Sequence, residues 1–270
     1  MTELPQPKIV EPEGGHWYSL DGRLIETVPS ADGKKRVKCT LRHARKLQLA
    51  PGVTTITGSC DKPQLTRWKM EQVAIAACTL TRQVGEDDDS WQKRLLEESG
   101  KLGKASRDEG TLIHKEIQHH FQLAPIDPNY EDHVAGAVQE LDQLNCDVWR
   151  SEVVCVSSRG FGTMADLVGY RDGAVVALVD TKTKDGPLAK IQSLGLYDEH
   201  YMQLAATCEA MGVDPAGIYT GILFTSRTHR GSSVLMPAAL DELKRGAGMF
   251  SALLTYKQIK DDYRPDWAKD

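Results

Sequence analysis

Met164-Ala165-Asp166-Leu167-Val168-Gly169-Tyr170, the turn Arg171-Asp172-Gly173, and Ala174-Val175-Val176-Ala177-Leu178-Val179-Asp180-Thr181-Lys182-Thr183-Lys184 form the stretch that decides the fold. Two β-rich runs flank an Asp-Gly turn, which predicts an antiparallel hairpin. The second run is apolar up to Val179 and then changes to Asp-Thr-Lys. A strand of that kind leaves the core and delivers its charges to a cleft. Side chains on a strand alternate with period two, so Asp180 and Lys182 share a face, and the hairpin brings Asp166 towards them from the adjacent strand. Two carboxylates and an ammonium therefore converge. Carboxylates suit a hard ion such as Mg²⁺, and a lysine beside it can orient or deprotonate water and stabilise charge on a phosphorane. Lys184 lies on the same face further along and is the alternative lysine. An ordinary ion pair at a strand end is the other reading of an isolated Asp-x-Lys.

Working outward, Val153 to Val156 supplies a third β-rich segment, so the three runs predict an antiparallel meander. Upstream, Leu112, Ile113, Ile117 and Phe121 recur at helical spacing and put His114 on a helix running from Ser106 to Phe121. Another helix is expected from Glu131 to Leu144. Downstream, a helix at Tyr201 to Met211, a buried strand at Gly217 to Thr225 and a helix at Ala238 to Ile259 complete the order. That order predicts an α/β fold with helices around a mixed central sheet. Nearer the N-terminus, His16 to Leu20 and Arg23 to Val28 around Asp21-Gly22 read as a β-hairpin arm. Leu49 to Gly58 reads as a short strand between turns, and Lys62-Pro63 opens a helix through Trp68, Val73 and Ala77. Trp68 and Trp91 could stack bases, although core packing is commoner for a helical Trp.

Composition narrows the classes. The chain has 270 residues, 40% of them hydrophobic and 26% charged, and no apolar run approaches the roughly 20 residues that cross a bilayer. Residues 1–15 lack the basic start and apolar stretch of a signal peptide, so a cytoplasmic protein is expected. Six scattered cysteines without a C-x-x-C pair argue for reduced thiols and against a zinc or iron-sulfur site. The net charge of -5 makes local patches decisive for any polyanion. The longest basic stretch, residues 34–46, holds Lys34, Lys35, Arg36, Lys38, Arg42, Arg45 and Lys46 without an acid, and either grips phosphates or is a solvated face.

The order of these motifs resembles the RecB-like branch of the PD-(D/E)XK nucleases. The family's G-x-x-x-H helix, strand-leading glutamate, aspartate before a hairpin, D-x-K and Q-rich helix appear here as Gly110 to His114, Glu152, Asp166, Asp180-Thr181-Lys182 and Gln203-Leu204-Ala205-Ala206. Pro51 to Ile56 is similar to a P-S-V-T-T segment of phage exonucleases and of the mitochondrial genome maintenance exonuclease group, with Gly52 where the serine stands. Thr207 occupies the place of a frequent tyrosine, for which Tyr197 or Tyr201 are candidate substitutes.

The resemblance covers about residues 35–210. It implies a restriction-endonuclease-like core with an N-terminal arm and first strand over 1–58. The nuclease domain would be 59–270, with a helical cap near 62–107, a catalytic core near 108–225 and a C-terminal helix at 238–259. It implies Mg²⁺, replaceable by Mn²⁺, held by His114, Asp166, Asp180 and Thr181. Lys182, Glu152 and Gln203 would complete the catalytic set, with Glu152 either helping the metal or merely starting a strand. The implied activity is a deoxyribonuclease working on single-stranded or duplex DNA ends, in phage-type recombination beside a single-strand annealing protein and in a bacterial host's cytoplasm. A structure-selective or site-specific endonuclease, or a catalytically silent DNA-binding scaffold, are the alternatives.

Overall fold

A computed structural model describes residues 15–268; residues 1–14, which carry most of the stretch without a signal-peptide pattern, lie outside them. Among the described residues, the strands are β1 (Trp17–Tyr18), β2 (Thr27–Pro29), β3 (Arg36–Lys38), β4 (Ala50–Pro51), β5 (Val148–Ser157), β6 (Phe161–Arg171), β7 (Ala174–Lys184), β8 (Tyr219–Ser226) and β9 (Ser233–Pro237). The helices are α1 (Leu41–Leu47), α2 (Val53–Thr57), α3 (Pro63–Thr79), α4 (Asp88–Phe121), α5 (Glu131–Asp142), α6 (Leu188–Leu194), α7 (Asp198–Met211) and α8 (Leu240–Lys260).

The protein is an α/β fold around a five-stranded mixed sheet in the order β5-β6-β7-β8-β9. The meander β5-β6-β7 is antiparallel, β7 and β8 run parallel, and β9 returns antiparallel. The parallel step uses α6 and α7 as its crossover, as a parallel pair requires. One sheet face carries α4 and α5, where Ile113, Ile117, Val134 and Leu141 pack on Leu167, Val179 and Leu223. The other carries α6, α7 and α8, where Leu204, Cys208 and Leu243 pack on Val168, Leu178, Ile222 and Phe224. The neighbours Leu178 and Val179 thus serve opposite cores, which is why Ala177 to Val179 is uniformly apolar.

Four expectations change. Leu49 to Gly58 is not a strand beyond Ala50–Pro51: Gly52 caps a five-residue helix, α2, that buries Val53 and Ile56 against Phe161, Met202 and Phe250. Packing has overridden the β propensity of a Val-Thr-Thr-Ile run. The arm's turn exists, with the Gly22 N–H donating to the Ser19 carbonyl and Tyr18 bridging Leu24. Its flanks pair elsewhere, however, β1 with β4 and β2 with β3. That arrangement buries Trp17 with Val28, Cys39 and Ala44. Strand β9 and helix α6 were not anticipated.

Finally, α4 is one helix of 34 residues, so the expected division between cap and core near 107 falls inside it. Gly100 and Gly103 lie within it. The ion pairs Lys93–Glu97 and Glu98–Lys101 lie along it, and a Cβ at Gly103 would stand 3.1 Å from the Trp68 ring, so α3 lies against that glycine. An N-cap on Asp87, which accepts from the Ser90 N–H at 2.7 Å, starts the helix, and Asp88 and Asp89 stand in its first turn. No helix among the described residues is long and apolar enough to cross a membrane. All six cysteines are free.

Candidate active site

The site lies where β5, β6 and β7 splay beneath α4. Glu152 and Asp166 fall between the ladder pairs Ser151↔Leu167 and Val153↔Ala165. Leu167 belongs to the α4 side and Ala165 to the α7 side, so both strands change faces across this one step. Glu152 enables the change with a left-handed backbone, φ 57°, a conformation that costs an L-residue about 1–2 kcal/mol.

His114, Glu152 and Asp166 each offer a ligand atom, and those atoms lie within 4.8 Å of one another. His114 Nε2 is 3.5 Å from Glu152 Oε1, and its Nδ1 is 3.9 Å from Asp166 Oδ2. Thr181 organises them. Its N–H and its hydroxyl both donate to Asp166 Oδ2, at 2.8 and 3.0 Å, and its Oγ1 is 2.9 Å from His114 Nδ1. The hydroxyl proton is already given to Asp166, so the hydrogen on Nδ1 must be donated to Thr181. Nε2 is then left facing a carboxylate, and a positive charge is needed between them, either a proton on the ring or a cation. Burial pulls the His114 pKa down, but Glu152, Asp166 and Asp180 outweigh it and hold it above the ordinary histidine value. The donor set therefore fits a divalent cation: one imidazole oriented from behind, two carboxylates, and an unbalanced negative field.

Asp180 stands outside that group. Its Oδ1 accepts from Gln203 Nε2 at 2.6 Å, and its Oδ2 is ion-paired with the Lys182 ammonium. Burial raises the Asp180 carboxyl above the usual range, and Lys182 only partly restores it. For Lys182, burial favours the neutral form, but Asp180 and Asp166 prevail and keep it a cation. The alternation of Asp180 and Lys182 is present, with Asp180 facing Gln203 and Thr181 facing His114, but Asp166 meets Thr181 and not the face of Asp180 and Lys182 where the hairpin was expected to bring it. Lys184 sits with its ammonium 5.2 Å from the centre of the Tyr197 ring. Tyr201 packs its backbone where a Cβ on Gly246 would come, and Thr207 bonds Thr163 at 3.1 Å.

Of the anticipated metal set, His114 and Asp166 are in the close group. Glu152 joins them in place of Asp180, and Thr181 holds the other two by its hydroxyl and amide. The basic stretch at 34–46 contributes no residue to the cleft beside the site. Arg36 donates to the Thr27 hydroxyl at 2.8 Å within the arm, and Arg45 donates to the Asp261 carbonyl at the end of α8, so those two guanidiniums are engaged in holding the arm.

Three residues were missed. Tyr18 lies against Gly162 of β6, and burial plus the field of Glu152 and Asp166 push its hydroxyl pKa up to about 12. His200 precedes Gln203 by three residues, a helical spacing that could have flagged it. Burial and the nearby Lys182 and Lys184 lower its pKa to about 4, so it stays neutral beside the lysines. Arg227, just past β8, carried no sequence signal. The site opens into a cleft of about 740 Å³ between α4 and the ends of β7 and β8.

No family model matches the chain, and no curated protein matches it. Among solved structures, the crystal structure of SSO0001 is similar at 15% identity over 53% of this chain and 84% of that one, with a TM-score of 0.26, a likeness too slight to carry an argument.

Proposed function

We propose that this chain is a metal-dependent deoxyribonuclease with a PD-(D/E)XK core of the RecB-like kind, hydrolysing phosphodiester bonds at DNA ends. One observation carries the reading. His114, Glu152 and Asp166 converge on one cation-sized space, while the neighbouring strand presents Asp180 and a charged Lys182 at its edge.

His114 Nε2, Glu152 and Asp166 would hold Mg²⁺ or Mn²⁺, with Asp180 beside them. The bound ion would polarise the phosphate and lower the pKa of a water. The chain's own residues do the rest. Thr181 fixes the imidazole tautomer and one Asp166 oxygen, so the ligands need little reorganisation. Lys182 enters as a cation, which suits it to orient the attacked phosphate and neutralise charge developing on it rather than to take a proton from water. Gln203 holds the Asp180 carboxylate in register with Lys182.

The test incubates the protein with end-labelled single strands, blunt duplexes and closed circles, in Mg²⁺, Mn²⁺ or chelator. Shortening of linear DNA alone, requiring metal and lost in Asp166→Asn and Lys182→Ala, is the expected result. Cutting of circles would make the same centre an endonuclease. Binding without cutting in either metal would replace the catalytic reading with a scaffold.

A further inference from the structure

The cleft continues past the metal-binding acids. From His114 it follows α4 back to Gly110 and Arg107, facing Thr183 of β7 and Arg227 beyond β8. Arg107, Lys115, Lys182 and Arg227 line it against the single carboxylate Glu152. In a chain of net charge -5 that sign is local, and it suits a polyanion.

Arg227 is the most firmly built of these cations. Its N–H donates to the Lys184 carbonyl at 2.9 Å, which ties it to the end of β7. Its Nε donates to Asp185 at 2.8 Å, and its Nη1 is within 3.0 Å of the Thr183 hydroxyl and 3.2 Å of the Thr183 carbonyl. Those contacts fix the guanidinium plane, and Nη2 makes no hydrogen bond to any described residue, so two N–H donors of this cleft-lining side chain are unused. Asp185, whose side chain is 56% exposed, offsets part of the charge.

Gly110 makes room for this arrangement. A Cβ there would come 2.5 Å from Thr183 Oγ1 and 3.8 Å from Arg227 Nη1. The helix thus forgoes a side chain, at a cost of about 1 kcal/mol relative to alanine, where threonine and arginine meet the wall. Thr183 is two residues past Thr181 on the same face, about 6.6 Å along the strand. Gly110 is one turn from His114, about 6 Å along the helix. Both measures place the guanidinium roughly one nucleotide step from the metal ligands.

We propose that Arg227, held by Thr183 and Asp185 opposite Gly110, is a phosphate subsite that binds the phosphodiester next to the scissile one and so sets the strand's register on the metal centre. The inference rests on the nuclease reading and adds a binding residue to it.

The test uses the full chain carrying Asp180→Asn, Mg²⁺, and a fluorescein-labelled single-stranded oligonucleotide followed by anisotropy. Arg227→Gln should weaken binding about tenfold and reduce the slope of log K against log salt by about 0.7, the share of one phosphate contact. Lys244→Gln, an equal charge loss on α8, should leave the slope unchanged. Neutral methylphosphonates are then moved one linkage at a time, counted from the bond the native protein cuts first. At the adjacent linkage alone, the penalty seen with Arg227 should vanish in Arg227→Gln. Thr183→Val, which removes one anchor and keeps the fold's shape, should reduce the penalty at that same linkage and carries the test if Arg227→Gln melts. An unchanged slope, or equal losses at every linkage, overturns the subsite while leaving native cleavage and the nuclease reading intact. A native protein that neither cuts nor binds DNA overturns both.

Discussion

Replacing Lys182 by methionine separates what the buried pair does for stability from what it does for chemistry. The Asp180 side chain is 7% exposed, and Lys182 is the cation paired with it. Removing one partner of a buried pair leaves a charge in a poorly solvated place, at a cost of about 3–5 kcal/mol. Asp180 can escape part of that cost by taking up a proton, because burial already raises its pKa, and a net loss of about 2–4 kcal/mol follows. For a chain of this size that lowers the melting temperature by roughly 5–12 °C. In Asp180→Asn/Lys182→Met the orphaned charge is gone and the Asn Oδ1 can still accept from Gln203, so at least half of the lost stability returns. On the proposed nuclease reading turnover should not return, because the cation assigned to the transition state is missing in both variants, worth about 10²–10³-fold. Calorimetric melting and a DNA-cleavage rate, measured on the three proteins, give both quantities. A Lys182→Met protein that melts within about a degree of the native one, or a double variant no more stable than the single, would refute the buried-pair reasoning.

Gly110→Ala should destabilise by about 1–3 kcal/mol despite alanine's better helix propensity, because the new Cβ meets Thr183 Oγ1 at 2.5 Å; a rise in the denaturant midpoint would contradict it. Glu152→Gly relieves the left-handed backbone at φ 57° and removes a ligand, so thermal stability should hold or rise while Mn²⁺ affinity, read by titration calorimetry, falls at least about tenfold. His200, with a folded pKa near 4 against 6.5 for the free side chain, takes up its proton in the unfolded chain first. Stability is therefore retained above pH 6.5 and declines as pH falls towards 4, by about 3 kcal/mol from this residue. Denaturant melts at pH 7 and 4.5 should show a smaller acid loss in His200→Gln than in the native chain, and an equal loss would count against the assignment.

The hairpin and its charges were legible because strand periodicity and an Asp-Gly turn are local signals. Period two put Asp180 and Lys182 on one face, and helical spacing put His114 on α4. The sequence could not show that Glu152 would sit at the step where β5 and β6 change faces, since a left-handed glutamate is imposed by its neighbours and has no composition signal. For the same reason the close cluster holds Glu152 rather than Asp180. Thr181 shows how the two levels differ: the resemblance implied it as a metal ligand, but only three-dimensional contact reveals that one hydroxyl joins His114 to Asp166. The Val53 to Thr57 helix was misread because β-branched residues packed against Phe161 and Phe250 follow the demands of the core. Arg227 was illegible because the contacts behind its proposed role come from Thr183, 44 residues away, and from the space Gly110 leaves.

The most direct test of the central claim is the cleavage of end-labelled linear DNA by the native protein across a Mg²⁺ titration, beside Asp166→Asn. Strand shortening that appears with metal, stops with chelator and is absent from the variant is the predicted result. Intact DNA at every Mg²⁺ and Mn²⁺ concentration, from a folded native protein, would contradict it.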